Sequence, residues 1–151
     1  VLAVFIPKNI LLTSGGPVIV DFETGHYGDP SFDIGFFLSH LLLKTAKHQN
    51  RAAEAIAPAR QFWHLYSELL FADPALLWLT DQNRHSGFER QSIEHLAACM
   101  LARVEGKSRV DYLSDDWHAD FLREFCYSLL TGDMPQMTDA FDLLEGSLKS
   151  Y

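Results

Sequence analysis

The alternation of apolar and polar positions divides the chain into a short β-rich start and a long helical remainder. Val1-Leu2-Ala3-Val4-Phe5-Ile6 is an unbroken apolar run and predicts a buried strand. Two further apolar runs, Asn9 to Leu12 and Pro17 to Val20, flank the turn signal Thr13-Ser14-Gly15-Gly16 and predict a β-hairpin. Asp21 follows the second strand directly. Thr24 to Ser31 is polar, contains glycine and is broken by Pro30, so it reads as loop.

From Ser31 the period becomes helical. Phe32 to Lys44 is apolar on most faces, as a helix in the middle of a core requires. Arg51 to Phe71 carries Ala55, Ile56, Ala59, Trp63, Tyr66 and Leu70 at helical spacing. Asp73-Pro74 starts a further helix, with aspartate as cap and proline in the first turn. Phe88 to Val104 is amphipathic and ends at Gly106. Asp115 or Asp116 caps a helix through about Leu130. Gly132 to Pro135 is a break, and a final helix runs from about Gln136 to Lys149. The expected fold is α+β and mostly α: a short β-hairpin at the N-terminal end, then about six helices, in one domain over residues 1–151.

Composition narrows the class. A chain of 151 residues, 48% hydrophobic and 21% charged, can bury a real core and is not disordered. Its formal net charge of −8 argues against nucleic acid as a general partner. A nucleotide is compatible, since a metal ion can meet its phosphates locally. Cys99 and Cys126 sit in apolar helical patterns and form neither a zinc motif nor a disulfide framework, which fits a reducing cytoplasm. The longest apolar stretch, Ile34 to Leu43, is interrupted by Ser39 and His40 and falls short of the roughly 20 residues of a membrane helix. No basic stretch precedes the first apolar run, so no signal peptide is read. A chain that begins at Val1, inside an apolar run, reads as truncated, as a fragment, or as an unusual translation start.

The candidate chemistry lies around Asn9 and Asp21. Phosphoryl transfer from a nucleotide needs divalent ions that bridge the phosphates and a base that orients the attacking hydroxyl. In kinase-like folds an asparagine that ends the catalytic loop and an aspartate that follows a short hairpin hold the ions. Here Pro7-Lys8-Asn9 precedes the hairpin and Asp21-Phe22-Glu23 ends it. Oxygen ligands of this kind suit magnesium.

Three stretches carry a family resemblance: Pro7-Lys8-Asn9-Ile10-Leu11, Val20-Asp21-Phe22-Glu23, and Gly28-Asp29-Pro30-Ser31-Phe32-Asp33-Ile34-Gly35. They resemble the core of the aminoglycoside phosphotransferase and choline kinase superfamily. The resemblance implies a protein-kinase-like fold and the use of ATP and Mg2+ to phosphorylate a hydroxyl of a small-molecule substrate. It makes Asn9 and Asp21 metal ligands, and Asp33 a structural aspartate that supports the catalytic loop by hydrogen bonds. Leu101-Ala102-Arg103-Val104-Glu105-Gly106-Lys107-Ser108 resembles a stretch in a bacterial branch of these enzymes. Within that frame, residues 1–30 are the catalytic and metal-loop segment, and residues 31–151 are the helical, substrate-binding part of a C-lobe.

The sequence also departs from the family. The catalytic loop there reads His-Gly-Asp-x-x-Pro-x-Asn, and the matching positions here are Leu2, Ala3 and Val4, with valine in place of the base. Valine can neither accept a proton nor hydrogen-bond a hydroxyl. The ATP-covering N-lobe is absent from the sequence as well. The chain alone is therefore expected to have little or no kinase activity. One alternative is a non-catalytic, pseudokinase-like module that binds a metabolite or protein. Another is a start-site or sequence artefact at Leu2-Ala3-Val4. Apolar surface bared by a lost N-lobe would favour self-association, or the missing N-lobe itself as partner.

Other candidates are weaker. Glu23 either orients a metal ligand or lies in solvent, and Lys8 either touches a phosphate or is an ordinary loop lysine. Asp29 with Pro30 reads as a turn and helix cap. Gly106-Lys107-Ser108 lacks the further glycine of a phosphate-binding loop, because Leu101 stands there, although Arg103 or Lys107 could approach a substrate. The seven histidines form no zinc motif. His26 is placed to line the cleft, and His40 reads as a satisfied core histidine. Phe62, Trp63, Tyr66 and Trp78 fit helix packing better than an aromatic cage.

Overall fold

The computed structural model describes residues 1–2, 5–72, 82–107, 109–113, 116–132 and 136–150. Two strands, β1 (Ile10–Thr13) and β2 (Gly16–Ile19), form an antiparallel hairpin. Five α-helices are described: α1 (Ser31–Lys47), α2 (Ala52–Ala72), α3 (Gln82–Val104), α4 (Asp116–Thr131) and α5 (Met137–Leu148). The fold is thus mostly helical, with the hairpin at its N-terminal end. The helix expected from Asp73-Pro74, and Trp78, lie outside the described residues.

The hairpin closes through a two-residue turn, Ser14-Gly15, between the paired residues Thr13 and Gly16. Thr13 Oγ1 donates to the Gly16 carbonyl at 2.8 Å and accepts the Gly15 N–H at 3.2 Å. Gly16 has a φ of 111°, a conformation that L side chains rarely adopt. One apolar run departs from expectation. Among its described residues, Val1, Leu2, Phe5 and Ile6 belong to no strand. Side chains and backbone elsewhere hold this segment instead. Phe5 stacks on Phe37 at 4.7 Å between ring centroids, and Val1 and His26 exchange backbone hydrogen bonds of 3.0 Å.

α1 is the central helix. Leu38, Leu42, Leu43 and Ala46 are fully buried, and the helix packs against α2, α3 and α5. Its closest approach is to α3. A Cβ added at Gly35 would lie 2.6 Å from the Leu96 backbone nitrogen and 2.8 Å from the Ser92 carbonyl oxygen. Only a residue without a side chain lets the two backbones come this near.

α3 begins at Gln82, earlier than the expected Phe88. Gln82 to Gly87 has no apolar periodicity, so hydrophobic pattern alone could not extend the helix over it. α2 contains Pro58, which has no N–H to give the Glu54 carbonyl. On its outer side Arg60 reaches α5, meeting Asp142 at 2.7 Å and Glu145 at 3.0 Å. Phe62 and Tyr66 stack at 5.8 Å, and Trp63 is buried, so these α2 aromatics serve packing. Among the described residues no helix is long and apolar enough to cross a membrane.

Candidate functional site

Local geometry brings Asn9 to Asp21. Pro7–Asn9 forms a single tight helical turn, held by the Asn9 N–H donating to the Ile6 carbonyl at 3.0 Å. The chain then enters β1. At the far end of the hairpin the Val20 N–H donates to the Asn9 carbonyl at 2.9 Å, which extends the pairing past Ile10 and Ile19. Asn9 therefore sits opposite Val20, with Asp21 one residue beyond. Asn9 Nδ2 donates to Asp21 Oδ2 at 3.2 Å.

The two side chains differ in environment. Asn9 is buried, whereas Asp21 is exposed. Asp21 has φ 73° and ψ 48°, the left-handed region, and is the one non-glycine residue with positive φ among the described residues. A non-glycine residue there costs about 1–2 kcal/mol, less for aspartate than for most others. This conformation ends β2 abruptly and starts the tight turn Phe22–Thr24.

Asn9 and Asp21 offer hard oxygen donors on adjacent strand ends, a donor set that suits magnesium. Among the described residues no three His, Cys, Asp or Glu side chains gather to hold a metal. A two-residue site fits that ion, which keeps several waters and takes further oxygens from phosphates. Glu23 is exposed and makes no hydrogen bond or ion pair among the described residues, as is also true of Lys8. Val4 lies outside the described residues, and so does Ala3.

The next motif secures the loop from below. Asp33, in the first turn of α1, accepts the Leu2 N–H on Oδ2 at 2.7 Å. Asp29 Oδ1 accepts both the Ser31 N–H at 2.9 Å and the Ser31 hydroxyl at 2.7 Å, so it caps α1. Two contacts here have no sequence signature. His95 on α3 stands 3.9 Å from Asp29 Oδ2 and meets the Phe32 ring edge-on at 5.4 Å. The Thr24 hydroxyl donates to the Leu2 carbonyl at 3.4 Å. His26 turns Nδ1 to the Thr24 carbonyl at 2.9 Å, and its ring lies against Gly28.

A stripe along α1 continues from Phe32 through Phe36 to His40, with ring centroids 5.6 and 5.2 Å apart. The Arg103 guanidinium lies over Phe36 at 6.0 Å. His40 is not the satisfied core histidine the sequence suggested. Its Nε2 is buried and finds no hydrogen-bond partner among the described residues. Burial lowers its pKa to about 4, helped by the positive charges of Arg103, Lys44 and Lys8.

The hairpin also carries exposed apolar side chains. Leu11 and Val18 face each other across the strands, 49% and 46% exposed. Leu12, Phe22 and Tyr27 are exposed nearby.

Residues 5–42 match the model of the phosphotransferase enzyme family. No curated protein and no solved structure matches the chain. The matched segment contains Asn9, Asp21, Asp33 and Gly35, and it ends inside α1. Over that segment the chain carries the phosphotransferase-family signature, in support of its resemblance to the aminoglycoside phosphotransferase and choline kinase superfamily.

Proposed function

We propose that this chain supplies the metal-binding part of a nucleotide-dependent phosphotransferase site, in an arrangement like the C-lobe of a protein-kinase-like fold. The reaction class is transfer of the ATP γ-phosphate to a hydroxyl of a small molecule. The observation that carries this reading is the approach of Asn9 and Asp21 to 3.2 Å across the hairpin. Asn9 and Asp21 would hold Mg2+, which would neutralise the phosphates and orient them for transfer. The exposed pair Leu11 and Val18 on the hairpin would offer an apolar seat for a planar base. The helices after residue 31 would shape the substrate pocket. Free thiols at Cys99 and Cys126 suit a reducing cytoplasm.

A second reading is favoured by one sequence feature, the valine at position 4. A chain with that residue at the base position would bind nucleotide or metabolite without transferring phosphate. Sustained ATP-dependent phosphorylation of a small-molecule hydroxyl by the purified chain would exclude this binding-only reading.

Calorimetric titration of ATP into the chain, with and without magnesium, tests the metal site. Magnesium should strengthen nucleotide binding in the parent chain and have no such effect in Asp21→Ala. Equal magnesium dependence in the two proteins would remove Asp21 from the site.

A further inference from the structure

The two-stranded hairpin has two outer edges, and they differ. The Val20 N–H donates to the Asn9 carbonyl at 2.9 Å, which marks Asn9 and Val20 as a hydrogen-bonded pair. Antiparallel pairs alternate, so Leu11↔Val18 and Thr13↔Gly16 are the next hydrogen-bonded pairs. The backbone groups of Ile10 and Leu12 on β1, and of Pro17 and Ile19 on β2, therefore point outward. Pro17 has no N–H to offer, which protects the edge of β2 against a further strand. β1 has no such guard. It holds no proline and no charged residue. The Ile10 N–H is occupied by the Pro7 carbonyl, but among the described residues Leu12 enters no hydrogen bond outside the hairpin. The Leu12 side chain is also 87% exposed.

Charge decides what can approach this edge. Two copies of a chain of net charge −8 repel each other over most of their surface. From Asn9 to Val20 no residue is charged, so here a second copy meets no like charge. The edge is also complementary to itself. A two-fold axis at Leu12 lays β1 antiparallel to β1 of a second copy, and each Leu12 N–H then donates to the Leu12 carbonyl of the other. The antiparallel arrangement points the bases of the two hairpins, and the acidic helical bodies they join, in opposite directions.

We propose that the outer edge of β1 is a self-association surface, on which a second copy of this chain adds its own β1 to make a four-stranded antiparallel sheet. The two Leu12 side chains face each other across the axis and leave water together. A strand of four residues makes a small contact, so the dimer is weak and reversible, with a Kd of about micromolar to millimolar. Pairing uses the strand edge and leaves the sheet face of Leu11 and Val18 uncovered. It stands apart from the Asn9 and Asp21 reading and needs neither magnesium nor nucleotide.

The test is sedimentation velocity of the purified 151-residue chain from about 10 µM to about 1 mM, in buffer free of magnesium and nucleotide. A reversible shift from monomer to dimer is expected. Amide exchange at Leu12, followed by NMR, should slow as the concentration rises. Leu12→Lys sets like charges opposite each other and removes the apolar burial, so it should weaken the dimer by about tenfold or more. Leu69→Lys replaces a leucine on α2 that is 73% exposed, and should dimerise as the parent does. Both side chains lie outside the core, and circular dichroism checks that each variant keeps its helices. A chain that stays monomeric throughout, an associated form whose Leu12 amide is unprotected, or a Leu12→Lys variant no weaker than Leu69→Lys overturns the proposal.

Discussion

Asp33 accepts a 2.7 Å hydrogen bond from the backbone N–H of Leu2, so the first turn of the central helix holds the segment that leads into the Asn9 loop. A hydrogen bond to a charged group contributes about 1.5–3 kcal/mol. Asp33→Ala should lower stability by about that amount in urea denaturation. The same variant should speed amide exchange at Leu2. Unchanged protection there would mean that Asp33 does not anchor this segment.

Gly35 sits where α1 and α3 touch backbone to backbone. A methyl group at this position has nowhere to go, because its neighbours are main-chain atoms rather than the ends of flexible side chains. Gly35→Ala should cost about 1–3 kcal/mol, the usual range for overpacking a tight contact. A helix-favouring substitution that instead raised the melting temperature would contradict the crossing described above.

Asp21 holds a left-handed conformation that glycine adopts without strain. In Asp21→Gly the relief of that strain is offset by loss of the hydrogen bond from Asn9, so stability should stay within about 1 kcal/mol of the parent. The variant should also abolish magnesium-dependent nucleotide binding. Binding would thus be lost with little change in stability. A glycine variant less stable than the parent by clearly more than about 1 kcal/mol would show that the carboxylate contributes more to the fold than its backbone strain costs.

His40 makes stability depend on pH. Its folded pKa is lowered from 6.5 to about 4, chiefly by burial and then by Arg103, Lys44 and Lys8. Between those values the unfolded chain binds the proton and the folded chain does not. Stability present above pH 6.5 is therefore lost progressively as the pH falls toward about 4. The slope cannot exceed about 1.4 kcal/mol per pH unit, because one ring exchanges at most one proton. In His40→Gln the curve should be flatter than the parent's across this window, as read by thermal melts. Parallel curves would rule out His40 as the source.

The parts that could be read from sequence have local causes. The hairpin announced itself through two apolar runs around Thr13 to Gly16, and α1 through a helix apolar on most faces. Asp29 and Ser31 follow ordinary capping chemistry. The remainder depends on contacts between distant residues. Val1 to Ile6 looks like a strand because it is apolar, yet Leu2 is held by the Asp33 carboxylate and Phe5 by the Phe37 ring. The start of α3 is polar and has no period to detect. The approach of His95 to Asp29 arises only once α3 has docked. Asn9 and Asp21 fall between these cases. Sequence named both, but only the hairpin register fixes their separation.

That register has a use in protein engineering. The hairpin ends at Asn9 and Asp21, while its tip, Ser14-Gly15, is exposed and lies at the far end of both strands. Residues added at the tip leave the four cross-strand pairs from Ile10↔Ile19 to Thr13↔Gly16 in step. The tip is therefore the natural graft point for a fluorophore or an affinity tag, reporting on the hairpin without altering the spacing of the two side chains at its base.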